Sequence, residues 1–246
     1  MSIKASTKKA LIATGLYPAA SRSWMWLEPR MTRAVRALNG RNESLVRTYL
    51  SRSTSPRLHI GCGGNHLDGW LNTELMPRGD EIYLDATRPF PFSDRSFDLI
   101  YTEHMIEHIP FESARRMVRE CFRVLRPGGT IRVVTPNMAF LQSLLDGAQT
   151  SAREAYFEFY KTHHRFGEPL TATHFVNYFV RSWGHQFIYD GDSLGDLLRD
   201  AGFRDVRVAT FNRSDIQGLD GLAKVDRMPD GLLEMESLTV EGTKPR

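Results

Sequence analysis

The sequence predicts an α/β protein: a doubly wound, mostly parallel seven-stranded sheet whose last strand is antiparallel, with a helical cap and an N-terminal helical arm. Three observations carry this. Short β-rich runs alternate with helical stretches from residue 57 onward, the first run enters a glycine turn at Gly61-Cys62-Gly63-Gly64, and the clearest helix signal stops at Pro127-Gly128-Gly129 before another strand. Strands separated by helices need crossover connections, so they lie parallel beneath helices on both faces of the sheet. Ligands of such sheets sit beyond the carboxyl ends of the strands.

The elements follow in order. Arg57 to Ile60 is the first strand, Trp70 to Leu75 the second and Glu81 to Leu84 the third, the last two ending at the acids Glu74 and Asp85. Ser96 to Tyr101 is the fourth, and a helix runs from about Ile109 to Leu125. Thr130 to Thr135 is the fifth. From Ala139 to Tyr189 the alternation gives way to aromatic and basic helices, the cap (138–190), which carries His163, His164, His174, Trp183 and His185. An amphipathic helix from Ser193 to Ala201 closes at Gly202, and strands Val206 to Phe211 and Ser237 to Gly242 complete the sheet. The polar, Gly-rich stretch Asn212 to Gly231 is a loop to which the sequence assigns no task.

Composition narrows the function. The chain has 246 residues, 41% hydrophobic and 25% charged, which is ordinary globular usage and excludes disorder, collagen and coiled coil. No apolar run approaches the roughly eighteen residues of a membrane span, and Ala10 to Ala20 is broken by Thr14, Gly15, Tyr17 and Pro18. Two cysteines, Cys62 and Cys121, cannot frame a disulfide scaffold or a zinc knuckle, so a reducing cytoplasm is expected. Charge is uneven: residues 1–57 carry eleven Lys and Arg against Glu28 and Glu43, while the whole chain carries only +3. The arm, residues 1–56, is therefore basic and the body acidic. Arg30, Arg33 and Arg36 recur along one helix face, which fits a solvated face or a dock onto the acidic body better than a phosphate clamp.

The glycine turn lets backbone approach a ligand without Cβ interference. It lacks the dinucleotide fingerprint, because position 66 is His and the acid Glu74 follows Gly61 too soon. Carboxylates ending the second and third strands suit a nucleoside, Glu74 accepting from ribose hydroxyls and Asp85 from an exocyclic amine.

The ordered set His59-Ile60-Gly61-Cys62-Gly63-Gly64-Asn65, Asp85-Ala86, Pro89 to Asp98, Glu107-His108-Ile109 and Val124 to Gly129 resembles the class I S-adenosylmethionine-dependent methyltransferases, of the type 11-like kind. Leu197 to Phe203 and the final strand extend the likeness over most of the chain from residue 57, the methyltransferase domain being 57–246 on this reading. The resemblance implies a Rossmann-like fold and S-adenosyl-L-methionine as cofactor. It places Gly61, Cys62 and Gly63 under the methionine part, Glu74 at the ribose, Asp85 and Ala86 at the adenine, and Thr102 and Glu103 facing the methionine part and the methyl group. The usual first helix has no room between Gly64 and Glu74 and must shrink to a turn.

His104 to His108 also has the H-x-x-E-H spacing of an inverted metalloprotease site, but its place after a buried strand in this series argues against a protease. No metal is assigned. A divalent ion at Glu107 and His108 with a cap histidine is compatible with the pattern, though a buried His and Glu bonded to backbone is the preferred reading. Methyl transfer to a hydroxyl needs a base, for which His108 is the first candidate, with Glu107 beside it and His174 or His185 from the cap.

The strand-four end, Tyr101-Thr102-Glu103-His104, lacks the Pro-Pro-aromatic motif of amine-methylating nucleic-acid enzymes, so nucleic acid is not the expected partner. An O-methyltransferase acting on a small molecule or carbohydrate, a sugar or glycoside, is expected, because Trp, Tyr, Arg and His in the cap suit a ring with hydroxyls. The alternatives are an RNA ribose 2'-O-methyltransferase using the basic arm, and a non-catalytic cofactor-binding partner; a homodimer is left open.

Overall fold

The computed structural model describes residue 35 and residues 40–147, 150–164 and 171–246. Residues 1–34, and with them Arg30 and Arg33 of the arm, lie outside the described residues, as do Arg36 and residues 165–170. Seven strands, β1 (Arg57–Ile60), β2 (Leu71–Glu74), β3 (Ile82–Tyr83), β4 (Phe97–Glu103), β5 (Leu125–Pro136), β6 (Arg204–Val208) and β7 (Ser237–Thr243), form one sheet in the order β3-β2-β1-β4-β5-β7-β6. The first five are parallel, and β7 is antiparallel to both β5 and β6. The fold is the one the sequence predicts.

Side chains alternate across the central strands, so each strand feeds both faces. Leu58, Ile60, Ile100, Ile131 and Val133 face one side, where they pack on α2 (Phe111–Val124) through Met117, Val118 and Cys121 and on α6 (Gly191–Asp200) through Leu194, Leu197 and Leu198. Helix α1 (Arg41–Arg52) adds Leu45, Val46, Tyr49 and Leu50 to this core. The Tyr49 hydroxyl donates to the Arg57 carbonyl (3.0 Å), and Asn42 brackets Tyr83, donating to its carbonyl (2.8 Å) and accepting from its N–H (3.1 Å).

The opposite face differs from expectation. Leu99, Tyr101, Val134 and Trp70 are covered there by Leu219 with Phe211, Ile216 and Leu222, that is, by a loop and not by helices. The cause is the short β1–β2 connection: residues 61–70 hold no helix, and the apolar strand residues they leave open are closed by the loop of residues 212–231. Strand edges also move, most at β5 and β6. β5 begins at Leu125 and runs through Pro127-Gly128-Gly129, where a Cβ on Gly129 would stand 2.8 Å from the Asp98 carbonyl. β6 ends at Val208, before Phe211, which turns into the loop core.

Helices α3 (Met138–Leu145), α4 (Ser151–His164) and α5 (Ala172–Arg181) build a second core of Leu141, Leu144, Tyr156, Tyr160, Phe175 and Phe179 with Leu232. Leu232 belongs to α7 (Leu232–Glu236), whose Glu236 accepts hydrogen bonds from the Tyr156 and Tyr160 hydroxyls. Among the described residues no helix is long and apolar enough to cross a membrane.

Candidate active site

The carboxyl ends of β1, β2 and β4 meet around the glycine turn. Gly61 (φ 67°) and Gly63 (φ 51°) occupy the left-handed region, where only glycine is free of Cβ strain. At Gly61 a Cβ would also lie 2.4 Å from Met105 Cγ, so backbone and side chain can pass this closely only at a glycine. A cavity of about 350 Å³ opens there, lined by Gly61, Gly63, Glu74, Leu75, Asp85, Ala86, Thr87, His104, Met105, His108 and Ile109.

Most of the predicted cofactor residues are thus brought together. Glu74 accepts the Gly63 N–H at Oε2 (3.0 Å) and the Leu75 N–H at Oε1 (2.7 Å), which fixes the carboxylate and leaves each oxygen a further acceptor site. Asp85 Oδ1 takes the Thr87 N–H (3.0 Å) and hydroxyl (2.6 Å), and Oδ2 the Arg88 Nε–H (3.1 Å). Only Oδ2 therefore retains acceptor capacity toward the cavity.

Three predicted residues stand apart. Cys62 is buried, its Sγ 3.8 Å from the Gly63 carbonyl, and burial with Glu74 and Glu81 nearby pushes its thiol up to about 12; it does not line the cavity. Thr102 is fully buried beside Ile60 in the sheet and does not line the cavity. Glu103, expected to face the cofactor, is held by the 212–231 loop: it pairs with Arg227, accepts from Asn65 (3.2 Å) and meets the Lys224 N–H at 3.4 Å. A carboxylate with its side chain only 4% exposed needs a cation, and Arg227, 124 positions away, supplies it.

Past β4 the chain reverses at His104 (φ 48°), a left-handed turn at a non-glycine residue, and enters the short 3-10 turn Ile106–His108. Glu107 is fully buried there. Its Oε2 accepts the Thr135 hydroxyl (3.0 Å), while Oε1 has no hydrogen bond and faces His104 Nδ1 at 3.4 Å and His108 Nε2 at 3.7 Å. Burial alone would raise this carboxyl; His104 and His108 outweigh it and hold the group below the usual range, so Glu107 is ionised. The Glu107 carbonyl accepts from the Gln186 and Phe187 N–H groups, tying the segment after α5 to the site. His185 lies there, its ring centre 5.1 Å from that of His108. Its Nδ1 is 2.7 Å from the Phe179 carbonyl, and burial lowers its pKa, so the ring is neutral with Nδ1–H donating and Nε2 bearing a lone pair.

These groups line a second cavity of about 280 Å³, with Tyr160, Phe179, Trp183, Arg227, Met228 and Glu236 as further walls. His104 and His108 line both cavities. His174 does not join them: it sits in the exposed first turn of α5, its Nδ1 2.9 Å from the Thr171 hydroxyl. His185, the other cap histidine of the sequence reading, takes the place given to His174. His104 was legible only as part of the H-x-x-E-H spacing, and Arg227 carried no signal.

Residues 76–133, from β2's exit to the middle of β5, match the model of a protein family described as a methyltransferase domain. The matched stretch covers less than half of the chain and falls within the region that resembles the class I S-adenosylmethionine-dependent methyltransferases. Among curated proteins, a probable S-adenosylmethionine-dependent methyltransferase of Mycolicibacterium smegmatis is 49% identical over 47 residues, 19% of this chain and 18% of its own length. An uncharacterized protein of Haemophilus influenzae is 42% identical over 41 residues, 17% of this chain and 16% of its own. The matched stretches thus span less than a fifth of either relative. Among solved structures, a SAM-dependent methyltransferase from Archaeoglobus fulgidus aligns with TM-score 0.49 at 15% identity, over 88% of this chain and 94% of that one.

Proposed function

We propose that this protein is an S-adenosylmethionine-dependent methyltransferase that methylates a hydroxyl of a small polar molecule such as a sugar or glycoside. The observation that carries the reading is that the two cavities share the wall made by His104 and His108. A donor in the first and an acceptor in the second would therefore lie against the same two histidines.

The cradle fits the cofactor of the family. Glycines with positive φ leave room beneath a chain-like group, Glu74 retains acceptor capacity for a ribose diol, and Asp85 Oδ2 with the Ala86 surface suits an adenine. The cofactor supplies a methyl group on a sulfonium, which leaves as a thioether. The residues do the rest: the cavity walls hold donor and acceptor in line and exclude water, which supplies much of the rate in such displacements. A hydroxyl acceptor loses its proton as its oxygen bonds to carbon, and Glu107 and His108, which line the second cavity, are the groups we assign to favour that loss. Helices α3 to α5 act as the cap, and the Trp183 face with Tyr160 and Phe179 offers a surface on which ring carbons pack.

A tritiated-methyl transfer screen over fractions of a cell extract tests the reading. Label is expected in a small, polar, hydroxyl-bearing product. Label confined to RNA, or cofactor binding with no transfer to any fraction, would replace the small-molecule reading by one of its two alternatives.

A further inference from the structure

Among the described residues that line the two cavities, Glu107 alone has a buried side-chain oxygen without a hydrogen bond. Its Oε2 accepts from the Thr135 hydroxyl, yet Oε1 is buried without a hydrogen bond, an unfavourable arrangement for a carboxylate oxygen that a bound cation would relieve. The ligand atoms that Glu107, His108 and His185 can offer all lie within 4.8 Å of one another. We propose that Glu107, His108 and His185 bind one divalent first-row transition-metal ion, through a carboxylate oxygen and two imidazole nitrogens.

The donor set and its support have the character of a metal site. Two imidazoles and one carboxylate favour zinc, manganese or cobalt over magnesium or calcium, which prefer oxygen alone. His185 donates Nδ1–H to the Phe179 carbonyl, so its Nε2 lone pair is directed by a hydrogen bond on the other nitrogen, as ligating histidines are. The Thr135 hydroxyl does the same for the carboxylate. The Gln186 and Phe187 N–H groups, both given to the Glu107 carbonyl, fix the His185 segment against the 106–108 turn, so the three ligands are set before any ion arrives. Three protein ligands facing a cavity leave open positions for water or for an acceptor hydroxyl. In that position the ion would lower the pKa of the bound hydroxyl, a role that rests on the methyltransferase reading; the binding itself does not.

Calorimetric titration of zinc and manganese chlorides into chelator-stripped, untagged full chain tests it, with cobalt spectra as a second signature. One ion per chain is expected, with cobalt d–d bands. Glu107→Gln and His185→Ala should each weaken binding at least tenfold, while His174→Ala leaves it unchanged. Circular dichroism checks that each variant folds, and either variant alone decides the matter. Absence of saturable one-to-one binding for all three ions, or affinity unaltered by both substitutions, would overturn the site. S-adenosylmethionine affinity measured on the same stripped samples separates the two readings, since it should be unchanged by loss of the ion.

Discussion

At the scale of single residues, the acid-ended strands were legible because a strand end projects its last side chain into the crevice, and Glu74 and Asp85 do line it. What could not be read was how much of each carboxylate is already committed. Asp85→Ala should weaken S-adenosylmethionine binding by about 1–3 kcal/mol, the cost of a charged hydrogen bond, as measured by calorimetry. Because Asp85 also fastens Thr87, a Thr87→Val variant serves as control and should lose less affinity. Glu74→Ala should weaken adenosine as well as the full cofactor; a loss confined to the full cofactor would take Glu74 away from the ribose. His108→Ala should keep cofactor affinity and lower methyl transfer by roughly 10²–10⁴-fold, the range of proton-handling groups. Wild-type turnover in that variant would make His108 a packing residue.

At the scale of elements, each of the seven strands has a counterpart among the short β-rich runs of the sequence, and the short β1–β2 turn followed from counting residues between Gly64 and Glu74. The consequence of that turn was not visible. A sheet face stripped of its helix must be covered, and the cover comes from residues 212–231, whose polar composition gives no sign of Leu219 sitting fully buried at its centre. Contacts more than a hundred positions apart, such as Asn65 with Leu222 and Glu103 with Arg227, leave no local periodicity to read. Arg227→Ala should therefore free the loop: amide hydrogen exchange at residues 222–227 should quicken well before the sheet's, whereas unchanged exchange would show that Leu219 alone anchors it. The cap was recognised as helical, but its aromatic residues are mostly its own core, and among its described Phe, Tyr and Trp residues only Tyr160, Phe179 and Trp183 reach the cavity.

For the whole molecule, β7 is tied to β5 by a buried ion pair, Arg132 with Glu241 at 2.5 Å, both side chains nearly inaccessible, and to the edge strand β6 by Arg207, 2.9 Å from the same carboxylate. Burial opposes ionisation of Glu241, but Ser214, Arg132 and Arg207 overcome it and hold its pKa below the ordinary 4.5. A carboxyl with a lowered folded-state pKa stabilises the fold above its unfolded value and loses that contribution as pH falls through the folded one. Glu241→Gln should thus be destabilised at neutral pH by about 3–5 kcal/mol, as when one partner of a buried pair is removed. In denaturant titrations the gap from wild type should narrow as pH drops below the carboxylate range, and a gap independent of pH would assign the effect to packing. The central claim is that one sheet edge seats a methyl donor against a second, acceptor-bearing cavity. A crystal structure with S-adenosylhomocysteine tests it most directly: adenine should lie against Asp85 and Ala86, ribose at Glu74, and the sulfur toward His104 and His108, whereas a ligand seated elsewhere, or with its sulfur turned away from His108, would contradict it.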